Sequence, residues 1–380
     1  MHGHDLIVLG ASAGGVEAVS ALVAGLPADL RAAVCVVVHL RPDTQSHLAE
    51  ILARLTPLRV TPARHGMAMQ PGTIHVAVPD LHMLVERDDG HGVLRLVRGP
   101  RENRARPAVD PLFRSAALAF GPRVIGVILS GALDDGTAGL WTVKDRGGMA
   151  VVQDPEDAAV PSMPTSALTE VVADHVATAR ELGPMLGRLA LEPVGRAHAK
   201  VAPSEPAAEL ENEIGIVAMD EEHHQSSARY GQPSRFSCPD CGGVLWDLSG
   251  EGPLRFRCEV GHAHSPATLA EMQTEAVEVA MWTALRALED KVELARRRGA
   301  GAAARGLPAF AAKFAVEEQA AQQHATALRA LLRLDGRTGI RPRLSGGDAS
   351  RDERPDIARA DAADAEAGVD TLGTGTLGMD

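Results

Sequence analysis

Five short, unbroken aliphatic runs recur along the first half of the chain, at residues 6–9, 34–38, 74–78, 124–129 and 149–152. Runs of this length without polar alternation suit strands buried on both faces, as in a mainly parallel sheet covered by helices. Helical patterns fall between them at about 15–25, 46–55, 110–120 and 136–146. This alternation predicts an α/β fold for residues 1–195. One departure is expected around 74–98, where "HMLVERDDGHGVLRLV" reads as an antiparallel hairpin turning on Asp89-Gly90.

The chain has 380 residues, more than one ordinary domain needs. Residues 196–234 shift toward alanine, glutamate and serine and read as a linker with at most one short helix. A cysteine cluster occupies 235–265. Ser265-Pro266, a capping serine followed by proline in the first turn, then starts a helix. Two apolar stripes over 266–334, separated by a break at 299–308, predict a helical hairpin with Met272, Met281 and Trp282 in its core. Residues 335–380 lack periodicity and are expected to be disordered.

A net charge of −12 argues against nucleic acid as a partner and against docking on anionic lipid. No apolar stretch approaches the roughly 18–20 residues of a membrane span, so membrane insertion is not expected. The first residues lack a signal peptide's basic and apolar regions. Three of the four cysteines cluster, which favours a metal site in a reducing compartment over a disulfide framework. The expected location is the cytoplasm.

The first aliphatic run breaks into "GASAGG" and then a helical pattern. A dinucleotide loop would place glycine where Ser12 stands, and an acid near the end of the second strand, where His39 stands. A Walker loop would need Gly-Lys-Ser/Thr, and no lysine is present. Gly10-Ala-Ser12-Ala-Gly14 does match G-x-S-x-G, a strained strand-to-helix turn that raises a serine hydroxyl above a sheet. Such a serine needs a base and an orienting carboxylate. His39 ends the second aliphatic run, and "VILSGALDDG" offers Asp134 and Asp135 at the same sheet edge.

At these residues the chain resembles the CheB-type chemotaxis-receptor protein-glutamate methylesterases. The likeness runs through "IVLGASAGGVEA", "VVVHLRPD", "PGTIHVAVPDLHM", "NRARPAVDPLF", "GVILSGALDDGTAGL" and "VVQDPEDAAVPSMPTSAL". It implies a three-layer α/β/α sandwich with a mainly parallel, Rossmann-like sheet. It implies Ser12 as nucleophile, His39 as general base and Asp135, rather than Asp134, as the orienting acid. Backbone N–H groups of Ala13 and Ala132 would hold the oxyanion, and Arg104 and Arg106 would line the substrate cleft. No catalytic cofactor is implied.

The implied partner is a methylated chemoreceptor or related signalling protein, whose glutamate γ-methyl esters are hydrolysed and whose glutamines are deamidated. A matching methyltransferase would be a further partner. Two departures stand out. The catalytic unit starts at residue 5, so no attached receiver domain is expected. Ala132-Leu133 stands where many members have methionine and glycine. The competing reading is a non-catalytic scaffold that retains the fold; an intact Ser12/His39/Asp135 set counts against it.

Cys238-Pro-Asp-Cys241 and Cys258-Glu-Val-Gly-His262, 16 residues apart, have the spacing of a zinc-ribbon-like site. Structural Zn²⁺ on Cys238, Cys241, Cys258 and His262 is expected, with His264 the alternative fourth ligand. Cys35 lies inside an aliphatic run and is expected to be buried packing.

Overall fold

The computed structural model describes residues 3–39, 46–194, 203, 206–221, 231–248, 250 and 252–335. The aliphatic runs become β1 (Leu6–Ala11), β2 (Ala33–Val38), β5 (Thr73–Val76), β8 (Val124–Ile128) and β9 (Met149–Gln153). Two short strands that the apolar pattern did not reveal, β3 (Arg59–Pro62) and β10 (His175–Ala177), complete the sheet. Its seven strands run β10-β9-β8-β1-β2-β5-β3, with every neighbouring pair parallel. The unanticipated strands are its edges, where one face or end is wet and hydrophobic patterning is weak.

Helices α1 (Gly15–Ala24), α2 (Leu48–Ala53) and α6 (Ala179–Leu189) cover one face, through Val19, Leu22, Leu52, Leu182 and Leu186. Helices α3 (Val109–Phe120), α4 (Thr137–Asp145) and α5 (Ser162–Glu170) cover the other, through Leu112, Phe113, Leu140, Val143 and Met163. The result is the expected three-layer arrangement. A satellite sheet joins β4 (Met67–Ala68) to a hairpin of β6 (His82–Asp88) and β7 (His91–Val97). That hairpin turns on Asp89 and Gly90, both at positive φ, as a two-residue turn between twisted strands requires.

Beyond residue 195 three expectations need revision. The short helix read in 196–234 is α7 (Ala207–Ala218), and it docks rather than only linking: it buries Leu210, Ile216 and Val217, the last in one cluster with Leu84. After it, β11 (Gln232–Ser237), β12 (Val244–Asp247), β13 (Phe256–Cys258) and β14 (Ala263–His264) form a small antiparallel sheet around the cysteines. The hairpin is present as α8 (Pro266–Ala304) and α9 (Pro308–Asp335), but α8 continues through Gly299 and Gly301 and the chain turns only at 305–307. Two glycines cost about 1 kcal/mol each in a helix; at Gly299 the partner helix passes close, a Cβ there lying 3.5 Å from Phe314 Cβ. Trp282, expected in the core, is 54% exposed, and its indole N–H reaches Glu278 one turn back on its own helix. Residues 336–380 of the expected tail lie outside the described residues. Among the described residues no helix is long and apolar enough to cross a membrane.

Candidate active site

Strands β8, β1 and β2 are the three central neighbours of the sheet, and the chain departs from β1 in opposite directions along it. At such a switch point the carboxyl-end loops splay apart and leave a crevice. Ser12 follows β1, His39 follows β2 and Asp135 lies in the loop after β8. The structure thus brings together three side chains that are up to 123 residues apart in sequence.

His39 Nδ1 is 3.0 Å from Ser12 Oγ, and His39 Nε2 is 2.7 Å from Asp135 Oδ2. The imidazole is about one-fifth exposed, and the carboxylate is buried. The expected serine strain is located elsewhere. Ser12 is not among the positive-φ residues; Gly14, at φ 71°, makes the turn, and Leu133, at φ 62°, makes its counterpart across the cleft. A Cβ on Gly14 would lie 2.7 Å from both Ser130 Oγ and Ala159 Cβ, so only glycine fits. The loop is pinned from below: Ser12 N donates to Ser130 O, and Ser130 Oγ donates to Ala13 O.

Asp135 is held by more than His39. Its Oδ2 also accepts from Val109 N at 2.6 Å, and its Oδ1 accepts from Asp110 N at 3.3 Å and Asn103 Nδ2 at 2.9 Å. The two backbone donors are the first turn of α3, where unpaired N–H groups and the helix dipole favour a negative charge. Burial opposes ionisation of Asp135. The hydrogen bonds from His39, Val109 and Asn103 outweigh that and hold its carboxyl below the ordinary range. The neighbouring Asp110 carboxyl is pushed well above that range by burial and by the charge on Asp135. Sequence reasoning missed Asn103 and the start of α3; the only signal was their place in "NRARPAVD".

A cleft of about 400 Å³ opens over Ser12 and His39, walled by Arg101, Arg104, Arg106, Ala132, Leu133 and Thr268. Both predicted arginines reach it, already paired: Arg106 with Asp80 and the Gly99 carbonyl, Arg104 with Glu275 of α8. Asp134 points away from the triad and accepts from Ser265 Oγ at 2.5 Å. Burial pushes its carboxyl up to about 6.

The Cys/His cluster sits behind this wall. Cys241 Sγ is 3.6 Å from Cys258 Sγ, and His262 Nδ1 is 3.6 Å from Cys258 Sγ and 3.9 Å from Cys238 Sγ. A tetrahedral Zn²⁺ site has ligand-to-ligand edges of about 3.8 Å between sulfurs and about 3.6 Å between sulfur and nitrogen. These separations match, and they are far too long for a disulfide. His264 Nε2 lies 3.5 Å from Cys238 Sγ and 3.5 Å from Asp240 Oδ2, a second grouping at the edge of the first. Cys35 is buried in β2, as expected.

The cluster's sheet is locked to the catalytic unit by buried charge. Glu102 bridges Arg114 of α3 at 2.6 Å and Arg257 of β13 at 2.8 Å, while Glu213 of α7 pairs with Arg255.

The family model described as CheB methylesterase matches residues 7–186. The protein-glutamate methylesterase/protein-glutamine glutaminase of Nocardioides sp. is 42% identical over 189 residues, 50% of this chain and 51% of that protein. A shorter relative from Leptospira interrogans is 33% identical over 186 residues, covering 49% of this chain and 95% of its own. The chain therefore spans about half the length of the first relative and nearly all of the second. Among solved structures, the Thermotoga maritima CheB methylesterase catalytic domain is 32% identical, with a TM-score of 0.48 over 49% of this chain and 98% of that one.

Proposed function

The chain belongs to the CheB methylesterase family, and on that premise we propose that it hydrolyses glutamate γ-methyl esters on a chemoreceptor-like protein through an acyl-enzyme on Ser12. The observation that carries this reading is the hydrogen-bond chain from Ser12 through His39 to Asp135 inside an open cleft. His39 Nδ1 accepts the Ser12 proton as Oγ attacks the ester carbonyl. Asp135 keeps the other imidazole proton on Nε2 and stabilises the imidazolium. The oxyanion is received by the N–H groups of Ala13 and Ala132, neither of which has a protein acceptor among the described residues. His39 returns its proton to the leaving methoxide, methanol departs, and water activated by the same imidazole releases the glutamate carboxylate.

The same attack on a glutamine side chain expels ammonia, consistent with the paired name of the Nocardioides relative. The ester must be supplied by a methyltransferase acting on the same glutamates. Arg104, whose pair with Glu275 is half exposed, offers a cation at the cleft to an acidic receptor surface, beside Arg106, which Asp80 and the Gly99 carbonyl hold in the wall. The four ligands Cys238, Cys241, Cys258 and His262 hold a structural Zn²⁺ that supplies folding energy to a module with little core of its own. Reduced thiols of this kind suit the cytoplasm.

The deciding experiment is methanol release from methylated receptor fragments, comparing wild type with Ser12→Ala. Release by the wild type alone is expected. A folded wild type as inactive as the variant would transfer the reading to a non-catalytic scaffold.

A further inference from the structure

Asn103 is the one side chain besides His39 that touches the Asp135 carboxylate among the described residues. Its amide nitrogen has two protons, and both are used: one goes to Asp135 Oδ1 and one to Asp110 Oδ2, each at 2.9 Å. An amide can do this only if its oxygen faces the other way. That orientation is set from outside the catalytic unit, because Asn103 Oδ1 accepts from Ser265 N at 2.9 Å. The Asn103 backbone is held from the same segment, its N–H donating to Ala263 O at 2.9 Å, while Ala263 N donates to Arg101 O.

These bonds are needed locally. Asn103 and Arg104 both sit at positive φ, 49° and 67°, a conformation that non-glycine residues keep only when their surroundings impose it. The segment that imposes it, Ala263–Ser265, directly follows His262 and contains His264 of the Cys/His cluster. A line of direct contacts therefore runs from the cluster through Ala263 and Ser265 to Asn103, Asp135 and His39.

We infer that Asn103 is the positioning residue of the triad carboxylate, and that the Cys/His module holds it in working orientation, so that the module is a functional part of the active site. This rests on the serine-esterase reading above. Without Asn103's donor, Asp135 Oδ2 keeps Val109 N, but Oδ1 is left with only the long 3.3 Å bond from Asp110 N, so the carboxylate's rotation about the side-chain axis is less tightly set. The imidazole then loses alignment with Ser12.

The test uses the full chain and probes that need no receptor: hydrolysis of p-nitrophenyl acetate, Ser12 phosphonylation by a fluorophosphonate, and the low-field proton resonance of the His39 Nε2–H···Asp135 bond. Asn103→Ala is expected to lower kcat about 10- to 100-fold, leave KM little changed, and shift or broaden that resonance. Ser265→Pro removes the N–H while suiting the local φ of −73°; it should approach the Asn103→Ala loss. Ser265→Ala keeps the N–H and should lose far less. Zinc chelation should weaken the resonance in wild type and add little to Asn103→Ala, with thermal melts showing that the catalytic unit stays folded. Wild-type kcat and resonance in folded Asn103→Ala would overturn the inference while leaving the esterase reading intact. A folded wild type that the fluorophosphonate cannot label would overturn both.

Discussion

His39 presents Nδ1, rather than Nε2, to Ser12 Oγ, 3.0 Å away. The reason is where the histidine sits. At the end of β2, beside the serine loop, its near ring nitrogen meets Ser12, and its far nitrogen reaches across to the loop after β8. Asp135 therefore has to fix the Nε2–H tautomer, which leaves the Nδ1 lone pair for the serine proton.

Asp135→Asn is accordingly expected to reduce kcat on a methyl ester by about 10⁴-fold, the scale of losing the correct tautomer and the imidazolium's counter-charge. The fold should be retained, because with the amide nitrogen turned to His39 the amide oxygen still accepts from Asn103 Nδ2 and Asp110 N. Steady-state kinetics with circular dichroism check this; activity within tenfold of wild type would argue that Asp135 only braces the loop.

Cys238→Ser should drop bound zinc from one ion per chain to none, as read by plasma emission spectrometry on protein purified without added metal. It removes one of the four candidate ligands, which all lie within 4.8 Å of one another. Zinc retained at full stoichiometry would exclude Cys238 as a ligand, and with it both groupings that contain it.

Arg257→Ala should destabilise the protein by about 3 kcal/mol in urea unfolding, because it leaves buried Glu102 without one of its two cations. The Glu102 carboxyl is held far below its ordinary range: burial opposes its charge, and Arg114 and Arg257 more than compensate. A change under 0.5 kcal/mol would show that Arg114 alone satisfies Glu102.

The Asp134 carboxyl, raised from 3.8 to about 6 chiefly by burial, holds its proton more tightly folded than unfolded. Its contribution to stability therefore falls as pH rises from about 4 to about 6 and stays low above that. Asp134→Asn should remove this slope and gain on the order of 1 kcal/mol at pH 7 relative to pH 4. Urea titrations across that range measure the difference, and parallel curves for the two proteins would refute it.

Arg104→Ala should raise KM for an acidic receptor fragment several-fold with kcat nearly kept, since Arg104 walls the cleft without touching the triad. Its half-exposed pair with Glu275 contributes little to stability, so Tm should barely move. A fall in kcat at constant KM would assign Arg104 a different role.

Much of this molecule is written locally. The aliphatic runs specify buried parallel strands, because residues without polar alternation leave no wet face. The small residues around Ser12 specify a tight turn, and Cys-x-x-Cys with Cys-x₃-His specifies a four-ligand cluster. Each of these needs only neighbours in sequence. The edge strands β3 and β10 were illegible because their burial is partial, and the docking of α7 was illegible because its docking face exists only once Leu84 and α3 are in place.

What the chain alone determines is thus the set of elements and the reactive groups at their ends. Only the tertiary structure decides how those groups are oriented: which imidazole nitrogen meets Ser12, and that Asn103, which donates to Asp135, is held in turn by Ser265, 162 residues further along the chain. Hydrogen-bond direction depends on positions in space set by sheet order and by the packing of the Cys/His module. No periodicity along the chain encodes those positions.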